Sequence, residues 1–266
     1  VTKYLKILFL VGIYGIIIYM LTYGTPTTPA ISDFALYVRM AQGDSNVPEP
    51  WSLRPFVPAV ASLLGGTEAA FHYLNMLLLL MTSLVLALTY KNYVIPILFL
   101  YGTYAVGRYA GEPGLDAMIY FLVAMSVYLT TVDNEYCSTA GMCTISVMAA
   151  ATHPMAFILT TIVFIFDRRP EVIIVGACVA LFLLPSSYGF LFLPDFARVR
   201  GIIYSLSFLS IGLFTFKKDS DSVRDLLILL VCLGFTLLAS NVIRMIAPAG
   251  IVLAPRALKF LRRLAD

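Results

Sequence analysis

Two aspartates stand at the mouths of apolar runs. Asp33 lies in SDFALYVRMAQG (32–43), directly after the first run, and Asp116 lies in GLDAMIYFLVAMSVYL (114–129), where another begins. A carboxylate so placed can take a proton from a hydroxyl nucleophile or help hold a cation. Arginines accompany them: Arg39, Arg54, Arg108 and, far down the chain, Arg244. Each carries a planar, always-charged fork suited to phosphate or carboxylate. His153, in Thr-His-Pro, and Glu112, in the turn Glu-Pro-Gly, complete the groups with chemistry to offer. Structural roles compete with each. An acid in a helix's first turn complements the helix dipole without any function. The His153 imidazole can hydrogen-bond a carbonyl that Pro154 frees, and His72, one turn into a run, is read as structural.

These residues sit in an unusually apolar chain. Of 266 residues, 60% are hydrophobic and 12% charged, against roughly a quarter charged in an ordinary soluble domain; the mean hydropathy is +0.90. Long apolar runs recur over the whole length, as in membrane spans. We expect an all-α, polytopic transmembrane bundle of about nine to ten spans, a single domain over 1–266. The spans are placed near 5–23, 67–90, 93–108, 115–132, 138–151, 154–166, 171–187, 199–216, 223–243 and 246–262. The first run is too long for a signal peptide and lacks a convincing cleavage site, so it is read as a span. Cys137, Cys143, Cys178 and Cys232 show no metal-ligand spacing and read as small buried hydrophobes. Basic residues scattered at helix ends give no nucleic-acid signature.

Charge bias orients the spans, because Lys and Arg collect on the cytoplasmic side. With both termini cytoplasmic and a hairpin break at Thr152-His153-Pro154, all six lysines and six arginines fall inside. The external set is Arg39, Arg54, Arg108, Arg198, Arg200 and Arg244, every one an arginine. A single span over 137–166 would move Arg168-Arg169 and Lys217-Lys218 outside, so the hairpin is preferred. Each arm, at about 14 residues and 1.5 Å per residue, is only about 21 Å long. The turn should therefore sit below the outer surface.

Residues 24–66 then form a long external loop. Within it, 32–42 read as a short helix with Ser32 as N-cap and Asp33 in the first turn. Phe34, Tyr37, Val38 and Ala41 give that helix an apolar face for the membrane interface. A second short helix is expected over 56–64, ended by Gly65-Gly66. Mid-span positions look apolar, with the acids gathered at one face.

The order of these features resembles the GT-C superfamily of polyprenyl-phosphate-dependent membrane glycosyltransferases, nearest to protein O-mannosyltransferases and aminoarabinose transferases. Four stretches carry the resemblance: SDFALYVRMAQG after the first span, RPFVPAVASLLGGTEAAFHYLN before and into the second, GLDAMIYFLVAMSVYL at the fourth, and AGMCTISVMAAATHPMAFIL, with His153 near a family basic position. A closing IRMIAPAGIVLAP resembles the family's arginine-then-proline span. Two departures stand out. Family members are generally much longer, and their tandem Asp-Glu is Ser32-Asp33 here.

The resemblance implies an inverting glycosyltransferase that moves a sugar from a polyprenyl-phosphate donor to an acceptor on the extracytoplasmic side of a cell membrane. Asp33 would be the general base, and Asp116 would orient the acceptor or help hold a cation. Arg54, Arg244, His153, Arg39 and Arg108 would face the donor phosphate. A divalent cation, Mg or Mn, is left open, with Asp33, Asp116 and Glu112 as candidate ligands. The implied partners are the lipid-linked sugar and membrane lipids; the acceptor is not specified, and no nucleic acid is implied. Two rivals remain. One is a non-catalytic GT-C-like accessory or scaffold subunit. The other, a small transporter or lipid flippase, is disfavoured by the absence of mid-span ionisable residues and of an inverted repeat.

Overall fold

The computed structural model describes residues 2–22, 33–48, 51–102, 115–167, 172, 174–176, 178, 220–238 and 247–265. Among these the regular structure is helical and no strand occurs. In chain order the helices are α1 (Thr2–Thr22), α2 (Asp33–Ala41), α3 (Phe56–Leu63), α4 (Glu68–Tyr90), α5 (Val94–Gly102), α6 (Asp116–Leu129), α7 (Glu135–Thr152), α8 (Pro154–Phe166), α9 (Ser220–Leu238) and α10 (Ala249–Ala265). A 3-10 turn, Trp51–Leu53, precedes α3. The expected spans at 171–187 and 199–216 lie almost wholly outside the described residues.

Local chemistry explains most boundaries. Thr67 caps α4 by accepting from the Ala70 amide at 3.2 Å, and Glu68 adds an acid to the first turn. Lys91 closes that helix in the left-handed conformation, φ +50°. Asn134 caps α7 by accepting from the Cys137 amide at 3.0 Å. The 137–166 stretch does break where expected: His153 alone is extended between α7 and α8, at φ −166° and ψ 140°. Pro154 then occupies the first turn of α8, where its missing N–H costs nothing.

Pairings along the helices fix their directions. Tyr14 of α1 donates from its hydroxyl to the Tyr93 carbonyl at 3.0 Å. Phe99, late in α5, meets Tyr120, early in α6, edge-on at 5.9 Å. Ser138, early in α7, donates to the Leu129 carbonyl at the end of α6, 2.8 Å away. The His153 ring faces Phe235, late in α9, at 6.4 Å. Arg256 of α10 reaches back to Asp225, early in α9, so these two helices run antiparallel. The long helices therefore alternate in direction along the chain, and the bundle has two distinct ends. One carries Tyr90, Tyr93, Leu129 and Asp225; the other carries Glu68, Asp116 and His153.

The core is made by α4, α6, α7 and α8, with α6 at the centre: all but two of its residues are buried. Small residues permit close approach. A Cβ at Gly141 would come within 2.8 Å of Leu129, and one at Gly176 would strike Ser146 Oγ and the Phe157 ring. Several buried hydroxyls are satisfied inside their own helices; Thr82 and Ser83 donate to the carbonyls of Leu78 and Leu79. Outward faces are apolar instead, as with Leu5, Leu8, Phe9 and Met20 of α1, and Tyr73 and Leu77 of α4.

Length limits what can cross a bilayer. Tyr4–Thr22 and Glu68–Tyr90 are the described helices long and apolar enough to do so; Asp116–Leu129 and Pro154–Phe166 are apolar but shorter. At 1.5 Å per residue, α5 as described is about 14 Å long.

Three expectations need correction here. The apolar face of α2 does not lie free at an interface: Phe34, Tyr37 and Ala41 are buried, because α2 packs on the 3-10 turn and α3. Nor are the mid-run positions wholly apolar, since Asp225 and Arg256 lie within α9 and α10 and are largely buried. Among the cysteines only Cys232 is buried; Cys137 and Cys178 are exposed and Cys143 is half-buried.

The corner between α3 and α4 holds α2 in place. Gly66 sits at φ +63°, donates its amide to the Ala61 carbonyl at 2.9 Å, and leaves no space on its outer side. A Cβ there would lie 2.7 Å from the Ala41 carbonyl oxygen, a backbone atom at the end of α2. Gly66→Ala should therefore cost about 2–4 kcal/mol, combining left-handed strain with displacement of α2. Gly65→Ala, also at positive φ but facing open space, should cost less. Equal denaturant midpoints for the two variants would show that the α2 contact contributes nothing.

Candidate functional site

The sequence candidates fall into three groups. Asp33 is the first residue of α2, one turn before Tyr37. Asp116, His153, Arg54 and Arg39 have described surroundings. Arg108, Glu112 and Arg244 lie outside the described residues.

Asp116 is buried in the first turn of α6, whose capping position, Leu115, offers no side-chain acceptor. An acid in that turn meets the positive end of the helix. His153 serves as the cap of α8: its Nδ1 accepts from the Met155 amide at 3.1 Å. That bond replaces the expected one to a freed carbonyl, because the break leaves unpaired amides at the start of α8 as well as carbonyls at the end of α7. Accepting at Nδ1 leaves the neutral ring's proton on Nε2. Any anion held by His153 in this state would be held through Nε2–H.

Arg54 donates from Nη1 to the Tyr37 hydroxyl at 2.9 Å. It thereby ties the approach to α3 onto the helix that begins with Asp33. Arg39 is engaged differently. Its Nε donates to Asp44 Oδ2 at 2.8 Å, and Asp44 Oδ1 accepts from the Asn46 amide, also at 2.8 Å. The Asn46 amide first, then the Arg39 hydrogen bond, hold the Asp44 carboxyl below its ordinary range. A depressed carboxyl stabilises the loop above its unfolded pKa and ceases to as pH falls through the folded one. The pair is solvent-exposed, so its contribution is small.

Asp116 and His153 share one end of the bundle with the α3–α4 corner, against which α2 is packed. They are separated by 37 positions in sequence, yet α6 and α7 run antiparallel and return the chain to the same level. Helices α4, α6 and α8 all start at this end, so their positive dipole ends face it together. Among the described residues no three His, Cys, Asp or Glu side chains gather into a metal-ligand set.

The opposite end holds a charge network that sequence reasoning passed over. Asp225 Oδ2 accepts from Arg256 Nε and lies 2.7 Å from Arg256 Nη2 as well, a two-pronged contact. Asp225 Oδ1 accepts from Arg224 Nε at 3.1 Å and Nη2 at 3.0 Å. Arg256 also donates to Ser222 Oγ at 3.2 Å, while Arg224 reaches Asp221 at 3.3 Å. Tyr90, ending α4, lies within the field of all four charges. Arg224 and Arg256 had been read as cytoplasmic markers only. The overlooked signal was position: Arg256 stands well inside the run 246–262, where a cation demands a counter-charge.

Comparison of the chain with protein-family models, with curated proteins and with solved structures finds no match.

Proposed function

We propose that the chain is a multi-pass membrane protein and an inverting glycosyltransferase that uses a polyprenyl-phosphate sugar donor. Exposed apolar faces around buried hydroxyls such as Thr82 and Ser83, bonded within their own helix, support the first half, as does the alternation of direction along the chain. Lys6, Lys91, Arg224 and Arg256 all belong to the Tyr90 end, which agrees with that end being cytoplasmic. The other end, with Asp116 and His153, would then face outward.

One observation carries the catalytic reading: groups distant in sequence share the outward end, namely Asp116, His153 and the α2–Arg54 assembly that begins with Asp33. In the proposed reaction Asp33 takes the acceptor hydroxyl proton as the oxygen attacks the anomeric carbon. The bond from that carbon to the phosphate oxygen breaks on the opposite face, which inverts the centre. Charge then develops on the departing lipid phosphate. Arg54, Arg244, Arg108, Arg39 and the Nε2–H of His153 are its proposed partners, with the helix starts adding partial positive charge. Asp116 orients the acceptor.

The accessory reading draws on a specific observation too. Arg39, Arg54 and His153 are each engaged in internal contacts that are useful without any substrate. The deciding experiment is equilibrium binding and turnover of polyprenyl-phosphate sugars by the purified chain in nanodiscs. Turnover with inversion supports the transferase. Binding without turnover favours the accessory subunit, and failure to bind any such donor overturns the catalytic proposal.

A further inference from the structure

At the Tyr90 end, α1 and α4 separate to leave a cleft of about 230 Å³. Its walls are Ile7 and Leu10 of α1 with Leu84, Ala87 and Leu88 of α4, and it closes on Lys91 and Tyr93. The volume exceeds that of an apolar cavity able to hold benzene, about 150 Å³. The cleft is a built feature. The Tyr14 hydroxyl pins the Tyr93 carbonyl, and Lys91 is fixed by its left-handed position at the end of α4.

Charge completes the description. Lys91 is exposed at the cleft, and Lys6, also exposed, precedes the wall residue Ile7. Among the described residues neither makes an ion pair, unlike Arg39, Arg224 and Arg256. Two cations without an ion pair among the described residues, beside an apolar slot, complement a molecule with an anionic head and a hydrocarbon tail. Exposed Tyr4 and Tyr93 flank the same region and suit a headgroup boundary.

We propose that this cleft binds an anionic phospholipid, with an acyl chain between α1 and α4 and the phosphate against Lys91 and Lys6. The occupant is a phospholipid because the cleft pairs an almost wholly apolar lining with Lys91 at its mouth, which suits an acyl chain below a phosphate. The site rests on the membrane reading above but not on the catalytic one.

The test compares phosphatidylglycerol with phosphatidylcholine of identical chains, added to the delipidated full chain in detergent. Retention is read by native mass spectrometry and stability by thermal unfolding. Phosphatidylglycerol should stay bound and raise the midpoint by several degrees, and phosphatidylcholine should do neither. Lys91→Asn, chosen because Asn tolerates left-handed backbone, should weaken binding about five- to tenfold. Leu84→Trp, which fills the slot, should abolish it. Equal retention of both lipids, or wild-type affinity in Lys91→Asn, would overturn the site whether or not Leu84→Trp folds. Alkaline extraction of native membranes separates the two failures: release of the chain overturns the membrane reading and this site with it. Retention without a lipid preference overturns the site alone.

Discussion

In the proposed transfer reaction, Asp33→Asn should lower turnover by at least about a hundredfold while leaving donor affinity within about threefold of the wild type. The amide keeps the size of the carboxylate and most of its capacity to accept hydrogen bonds, but it cannot take a proton near neutral pH. A base acts on the acceptor oxygen and not on the lipid phosphate, so binding and chemistry should separate. Asp33 begins α2, which is held by the Arg54–Tyr37 bond and by the Gly66 corner. Arg54→Ala should therefore loosen the base and the phosphate site together, raising the donor Kd as well as slowing turnover. Full activity in Asp33→Asn would remove that residue from the base role, and an unfolded variant would show instead that Asp33 mainly caps its helix.

The largest effect on stability should come from Asp225. Its side chain is 7% exposed, and its two oxygens serve two arginines that are 14% and 16% exposed. Removing one member of a buried pair typically costs about 3–5 kcal/mol, because the remaining charge keeps its desolvation penalty. Asp225→Ala strands two guanidiniums side by side and belongs at the top of that range. Arg256→Ala leaves Arg224 to neutralise Asp225 and should cost less. Arg224→Ala should cost least, since Arg256 still grips the carboxylate in two-pronged fashion. Replacing the pair jointly, as Asp225→Leu with Arg256→Met, should recover part of the loss, leaving Arg224 with Asp221 as its remaining partner. Unfolding in mixed micelles measures the series. An Asp225→Ala midpoint equal to that of the wild type would mean that water reaches the cluster freely.

The sequence announced the helices better than it announced their partners. Thr67, Asn134 and the Thr-His-Pro break are local signals, and each marks a helix end in the structure. The short helices at 33–41 and 56–63 were equally legible from apolar spacing between prolines and glycines. What local pattern could not give was the neighbour on each face. The buried face of α2 looked suited to a membrane surface, because a stripe of Phe, Tyr, Val and Ala is the same whether lipid or protein covers it. Asp225 and Arg256 sit 31 positions apart, and counting Lys and Arg alone placed Arg256 on one side without any partner for it. His153 was legible as the break but not as an acceptor, since that depends on which orphaned backbone group its ring meets.

On the proposed membrane reading, the antiparallel pairing of α9 with α10 bears on how the chain enters a bilayer. Alone, α9 would bring Asp221, Arg224 and Asp225 toward the hydrocarbon, and α10 would bring Arg256. Paired as they are, Asp225 and Arg256 enter as a neutral unit whose polar atoms already face one another. Insertion of the two helices together is thus less costly than insertion one after the other. On that reading the last two described helices should leave the translocation machinery as one body, which packs through α9 on α8 and through α10 on α5.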